Sequence, residues 1–102
     1  MQIVGVDLLV KAARRHRDVG RALDAWRIMV DAASWENIQD VRRILPTADG
    51  VTVRSGATVT IFNIRGNNFR LLTVIHYHRQ RVVIIDLLTH AEYNKQLWKD
   101  RL

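Results

Sequence analysis

The chain has 102 residues, sixteen Lys and Arg against ten Asp and Glu, a formal net charge of +6 and no cysteine. That length supports one domain over residues 1–102, with a real core and no second lobe. The missing cysteines exclude a disulfide framework, a thiolate nucleophile and a cysteine-ligated zinc site, and the basic balance favours a polyanion, either nucleic acid or an acidic protein.

Met1 to Val6 alternates loosely and reads as a short opening strand. Asp7 is placed to cap a helix through Leu8, Leu9, Ala12 and Ala13, with Lys11, Arg14 and Arg15 outside. Asp18 can cap a second helix, whose Val19, Ala22, Leu23, Trp26, Met29, Val30 and Ala33 follow the i, i+3, i+4, i+7 spacing of a buried stripe. The two helices form a hairpin. Ser34 offers a cap for a shorter helix through Trp35, Ile38, Val41 and Ile44, which Pro46 ends. Trp26 and Trp35 are expected in the core. The N-terminal stretch lacks a basic n-region, and no segment approaches the roughly 20 apolar residues of a membrane span, so a soluble, cytoplasmic protein is expected.

Beyond Gly50 the periodicity becomes strand-like. Val51 to Val53, Thr58 to Ile64, Phe69 to Tyr77 and Val82 to Thr89 are rich in Val, Ile, Thr and aromatics, separated by Gly, Asn or basic breaks. They predict an antiparallel meander. Thr89-x-x-Glu92 has the form of a capping box, so a final short helix should start at His90 and run toward Trp98. The expected fold class is α+β: an N-terminal helical hairpin packed on an antiparallel-dominated sheet, with a C-terminal helix.

Register then brings polar residues together. With Arg65-Gly66-Asn67-Asn68 as a four-residue turn, Asn63 stands opposite Arg70. With the next loop drawn as Arg79-Gln80 or as His78 to Arg81, Tyr77 stands opposite Val82 and Arg70 opposite Thr89. Directly opposed residues share a face, so Asn63, Arg70 and Thr89 should form a polar row, followed at once by His90 and Tyr93. Ile61, Leu72 and Leu87, then Val59, Val74 and Ile85, continue that face as core, with Asp86 on the other. The rim so formed holds a fixed cation, an amide, an imidazole able to exchange protons near neutral pH and a phenol able to hydrogen-bond a phosphate or stack on a base. No carboxylate pair or serine-centred triad competes with it.

Plainer structural roles exist for each residue. Arg70 can be a strand-end arginine paired with Asp or Glu, Tyr93 a packing tyrosine, and Lys11, Arg14, Arg15, Arg17 and Arg21 a solvated helical surface. His76 and His78 have the spacing to share a strand face and begin a metal site, but the sequence supplies no third ligand.

The basic charge, the helix-rich first half, Phe62-Asn63-Ile64-Arg65-Gly66-Asn67-Asn68-Phe69-Arg70-Leu71 and Thr89-His90-Ala91-Glu92-Tyr93-Asn94-Lys95 together closely resemble the HigB family of toxins within the RelE-like superfamily. The resemblance covers almost the whole chain. It implies a microbial-RNase-like fold and endonucleolytic cleavage of messenger RNA in the ribosomal decoding site, silenced by a helix-turn-helix, HigA-like antitoxin. Arg70 matches the arginine of the superfamily's aromatic-Arg strand motif, Arg65 a basic residue before it, His90 a basic position after the last strand, and Tyr93 the tyrosine near the C-terminus. Asn63 stands where ribosome-dependent RelE toxins often carry a lysine that helps take the proton from the 2′-hydroxyl; His90, ahead of Tyr93, is the expected substitute. Arg70, His90, Tyr93 and Asn63 are the expected catalytic set, and Arg65, Asn67 and Lys95 the RNA-holding one. No cofactor is expected, because the nucleophile belongs to the substrate. The superfamily also includes ParE-like relatives that inhibit gyrase by binding, and a nucleic-acid-binding regulator without catalysis is a further alternative.

Overall fold

The β-branched second half forms a meander, and the amphipathic first half covers one of its faces. A computed structural model describes residues 1–102. The elements are β1 (Gln2–Val4), α1 (Val6–Arg15), α2 (Gly20–Asp31), α3 (Ile38–Ile44), β2 (Asp49–Thr52), β3 (Thr58–Ile64), β4 (Phe69–His76), β5 (Arg81–Thr89), α4 (His90–Asn94) and α5 (Trp98–Arg101). The sheet has five strands in the order β1-β5-β4-β3-β2. β2 to β5 pair antiparallel, and β1 joins β5 parallel at the edge. No helix is long and apolar enough to cross a membrane.

Each face of the sheet carries its own core. On the helical side Leu9, Leu23, Trp26, Val30 and Trp35 pack with Phe62, Ile64, Leu71, Val82 and Leu87. Phe62 is the hinge of this packing: Trp26 meets it edge-on at 5.3 Å between ring centroids, and Trp35 stacks on it at 6.4 Å. On the other side Val53, Val59, Ile61, Leu72 and Leu88 pack under Trp98. Both Trp26 and Trp35 are buried, Trp26 on the helical stripe of α2 and Trp35 in the connection before α3, outside the helix expected to carry it.

The helix starts differ from the sequence expectation. α1 is entered from Gly5, in the left-handed region at φ 95, and Asp7 sits inside the first turn, where its charge complements the helix dipole. A Cβ on Gly5 would come within 3.2 Å of the Ile84 side chain, so the close approach of β1 to β5 also asks for glycine. α2 starts from Val19 with no side-chain cap; Asp18 instead pairs with Arg65 at 3.2 Å. Asn37, not Ser34, caps α3, accepting the Asp40 N–H at 3.1 Å. Ser34 is drawn off by Gln80, to which its hydroxyl donates at 3.2 Å.

The first hairpin has the expected register, with Ile64 opposite Phe69, Asn63 opposite Arg70 and Ile61 opposite Leu72. The second does not. Its loop is Tyr77 to Gln80, with Gln80 left-handed at φ 55, so His76 faces Arg81 and Ile75, not Tyr77, faces Val82. His78 therefore lies in the loop and does not share a strand face with His76. A bulge between Leu72 and Thr73 then leaves Ile85 unpaired and resets the frame: Leu72 faces Asp86, Arg70 faces Leu88 and Phe69 faces Thr89. Leu87 consequently belongs to the helix-side core, while Leu72 packs under Trp98. Asp86 borders a cleft beside Leu8, Lys11 and Arg15 of α1.

Thr89 caps α4 with both arms of the box: its hydroxyl accepts the Glu92 N–H at 3.2 Å, and the Glu92 carboxylate accepts the Thr89 N–H at 3.0 Å. The helix does not run on to Trp98. It stops after Asn94, and Gln96 at φ 63 turns the chain before α5. The backbone hydrogen bond from Thr89 holds the Glu92 carboxyl below the usual glutamate range, helped by the nearby Arg15 and His16 charges. A carboxyl depressed on folding stabilises the fold fully above its unfolded pKa and loses that contribution as pH falls through the folded value. Thr89→Ala should cost about 1 kcal/mol in urea unfolding, and Glu92→Gln should flatten the acid limb of a plot of unfolding midpoint against pH.

Candidate active site at the sheet rim

The site is built where the β3–β4 turn meets the start of α4. The His90 N–H donates to the Asn68 carbonyl at 2.9 Å, and this bond pins the first turn of α4 against the hairpin. Arg65 at φ 52 and Gly66 at φ 63 form the tight left-handed part of that turn. Arg70 is the second residue of β4 and is only 8% exposed.

The Arg70 guanidinium is held by neutral groups. Its Nη1 donates to the carbonyls of Asn67 and Phe69 at 3.1 and 3.2 Å, and its Nη2 to the Asn67 side-chain oxygen. Nη2 also lies 3.4 Å from His90 Nδ1, and the guanidinium carbon sits 5.4 Å from the centre of the Tyr93 ring. The ion pairs of the protein are Arg42 with Asp49, Arg43 with Asp40 and Arg65 with Asp18. None reaches Arg70. The strand-end arginine with a carboxylate partner is thus not what the fold contains. Desolvating a cation costs several kcal/mol, and here only amide dipoles, an imidazole and a ring face offset it. The site therefore carries unmatched positive charge, the electrostatic condition for holding a phosphate.

His90 is bridged on both sides. His90 Nδ1 lies 3.4 Å from Arg70 Nη2, and His90 Nε2 lies 3.0 Å from Asn94 Nδ2; the tautomer sets which of the two ring nitrogens accepts. Asn94 belongs to the Thr89–Lys95 motif but was not among the expected site residues, although its i, i+4 spacing from His90 on a capped helix was the available signal. Tyr93 is half-buried, and its phenol is pushed above the ordinary tyrosine value by burial and then by Asp49, against an opposing influence of Arg70. It keeps its proton at neutral pH, so the phenol has a hydrogen to donate.

The fold brings Arg70, Asn67, His90 and Tyr93 together, with Asn63 half-buried opposite Arg70 in the register. Thr89 is one position off the expected row and serves α4 as its cap. Arg65 is engaged by Asp18. Lys95 is exposed at the end of α4, where it lines a groove of about 290 Å³ with Leu88, Glu92, Leu97, Trp98 and Arg101. The clustered His, Asp and Glu residues include no group of three placed to hold a metal ion.

Two comparisons bear on this arrangement. A family model described as HigB_toxin, RelE-like toxic component of a toxin-antitoxin system, matches residues 19–96. No curated protein matches the chain.

A structural arginine and a ligand-seeking one predict opposite stabilities. Arg70→Met keeps the volume and removes the unmatched charge, and the polar groups it abandons on exposed Asn67 can turn to water. Its unfolding free energy should be unchanged or raised, the latter by up to about 4 kcal/mol; a loss of more than about 2 kcal/mol would show that the hydrogen bonds of Arg70 exist to hold the turn.

Proposed function

We propose that this chain, which belongs to the HigB family of RelE-like toxins, is an endoribonuclease that cuts messenger RNA at the ribosome and so inhibits translation. Family members are generally endoribonucleases, and membership implies a cognate antitoxin as partner. A helix-turn-helix protein of HigA type is the form proposed for it here. The observation that carries the reading is the buried, carboxylate-free guanidinium of Arg70 within reach of an imidazole and a phenol.

In the proposed reaction a phosphate of the message takes over the hydrogen bonds that Arg70 now makes to Asn67 and His90. That exchange releases the His90 Nδ1 lone pair, which receives the proton of the ribose 2′-hydroxyl as its oxygen attacks the adjacent phosphorus. The bond from phosphorus to the 5′-oxygen breaks, Tyr93 supplies the proton to the departing oxygen, and the products are a 2′,3′-cyclic phosphate and a 5′-hydroxyl. Arg70 stabilises the negative charge that grows on the phosphorane oxygens. Asn63 contacts the reacting nucleotide, and Arg65, Asn67 and Lys95 hold the strand on either side. No step requires a cofactor, because the attacking oxygen belongs to the RNA.

Purified protein added to ribosomes programmed with a defined message tests this directly. Arg70→Met should slow cleavage by about 100- to 1,000-fold, and Tyr93→Phe by at least about 100-fold. A message with a 2′-deoxy nucleotide at the scission point should remain intact. Efficient cutting of that message would sink the mechanism, and growth arrest without any cleavage would favour a target held by binding alone.

A further inference from the structure

Trp98 lies beyond the stretch matched by the family model, which ends at residue 96. It is nevertheless only 1% exposed and touches Tyr93 twice. Its indole stacks on the phenol ring, with centroids 5.3 Å apart and planes 18° from parallel. Its Nε1–H donates to the Tyr93 carbonyl at 3.1 Å, and the same carbonyl accepts the Gln96 N–H, also at 3.1 Å.

The turn at Gln96 makes the stack geometrically available. In a continuous helix, residue 98 would point about 140° around the axis from residue 93, and the two rings would diverge. Gln96 takes up a left-handed conformation at φ 63, uncommon for a residue with a Cβ, and the chain folds back instead. The indole is anchored from below by Val53, Val59, Ile61, Leu72 and Leu88. The backbone of α5 is tied to the β2–β3 loop, where the Arg54 N–H donates to the Lys99 carbonyl at 3.1 Å. α4 itself buries no residue, so a phenol projecting from its five residues has no other large ring stacked on it.

We infer that Trp98 is a positioning residue: it clamps the Tyr93 ring and thereby fixes the phenol beside the Arg70 guanidinium. Its bearing on cleavage rests on the function proposed above, whereas the clamp is a property of the free protein. Burial raises the Tyr93 phenol above its ordinary value, and Trp98 is part of what buries it.

The chain has two tyrosines, so in a Tyr77→Phe background the ultraviolet signal of phenolate formation belongs to Tyr93 alone. Tyr77 takes no part in the site, and this parent protein should cleave like the natural one. Trp98→Leu in that background should lower the titration midpoint of Tyr93 toward that of an exposed tyrosine. Its kcat on ribosome-bound message should fall about 10- to 100-fold with KM unchanged. Trp98→Phe, which keeps a ring on the phenol, should restore the midpoint and most of kcat. An unmoved midpoint in folded Trp98→Leu overturns the clamp, and a lowered midpoint with kcat intact overturns its bearing on the reaction. Should Trp98→Leu not fold, nuclear Overhauser contacts between the Tyr93 ring and the Trp98 indole are expected in the unaltered protein, and their absence overturns the inference. If the parent cuts no message at all, the proposed function has failed, and the Tyr93 titration alone decides whether Trp98 holds the ring.

Discussion

A guanidinium taken out of water without a carboxylate to meet it is the constraint on which the rim of this protein depends. Arg70 is kept in place by the carbonyl and side chain of Asn67, by its own strand neighbour and by His90. Each of those groups is where it is because the hairpin turn and the first turn of α4 are fastened together through Asn68 and His90. Folding thus stores a charge that the protein alone leaves unmatched. Placing it at a rim keeps the cost bounded, since Asn67 and His90 are exposed and can reorganise around an anion.

The residues at this rim were legible because the signals that specify them are local. The Arg65–Asn68 turn fixes Asn63 against Arg70 through loop length and left-handed backbone alone. The Thr89–Glu92 box fixes the start of α4 through spacing alone. The second hairpin was misread because the backbone of Gln80 and the extra residue at Ile85 leave no mark in a pattern that is apolar on both faces of the strand. When each face packs on a core, alternation no longer reports which side is which.

The helix caps failed for a related reason. Asp7 and Asp18 are sound caps by residue type, but the close approach of β1 to β5 demands glycine at position 5, and Arg65 draws Asp18 toward the turn. Tertiary contacts decided both. Trp98 was beyond reach in the same sense: a helical reading from His90 carries it away from Tyr93, and only the reversal at Gln96 returns it. The partnerless arginine was equally invisible, since several acidic residues stood ready in the sequence to satisfy it.

The irregularity at Ile85 acts as an expansion joint in the sheet. Above it β5 keeps step with the Tyr77–Gln80 loop, and below it with the Arg65–Asn68 turn. The two ends of the hairpin thus run in registers one residue apart, and the lower one aligns Arg70 with Leu88, while the distal loop is tied separately, through Gln80 to the Trp35 carbonyl and the Ser34 hydroxyl.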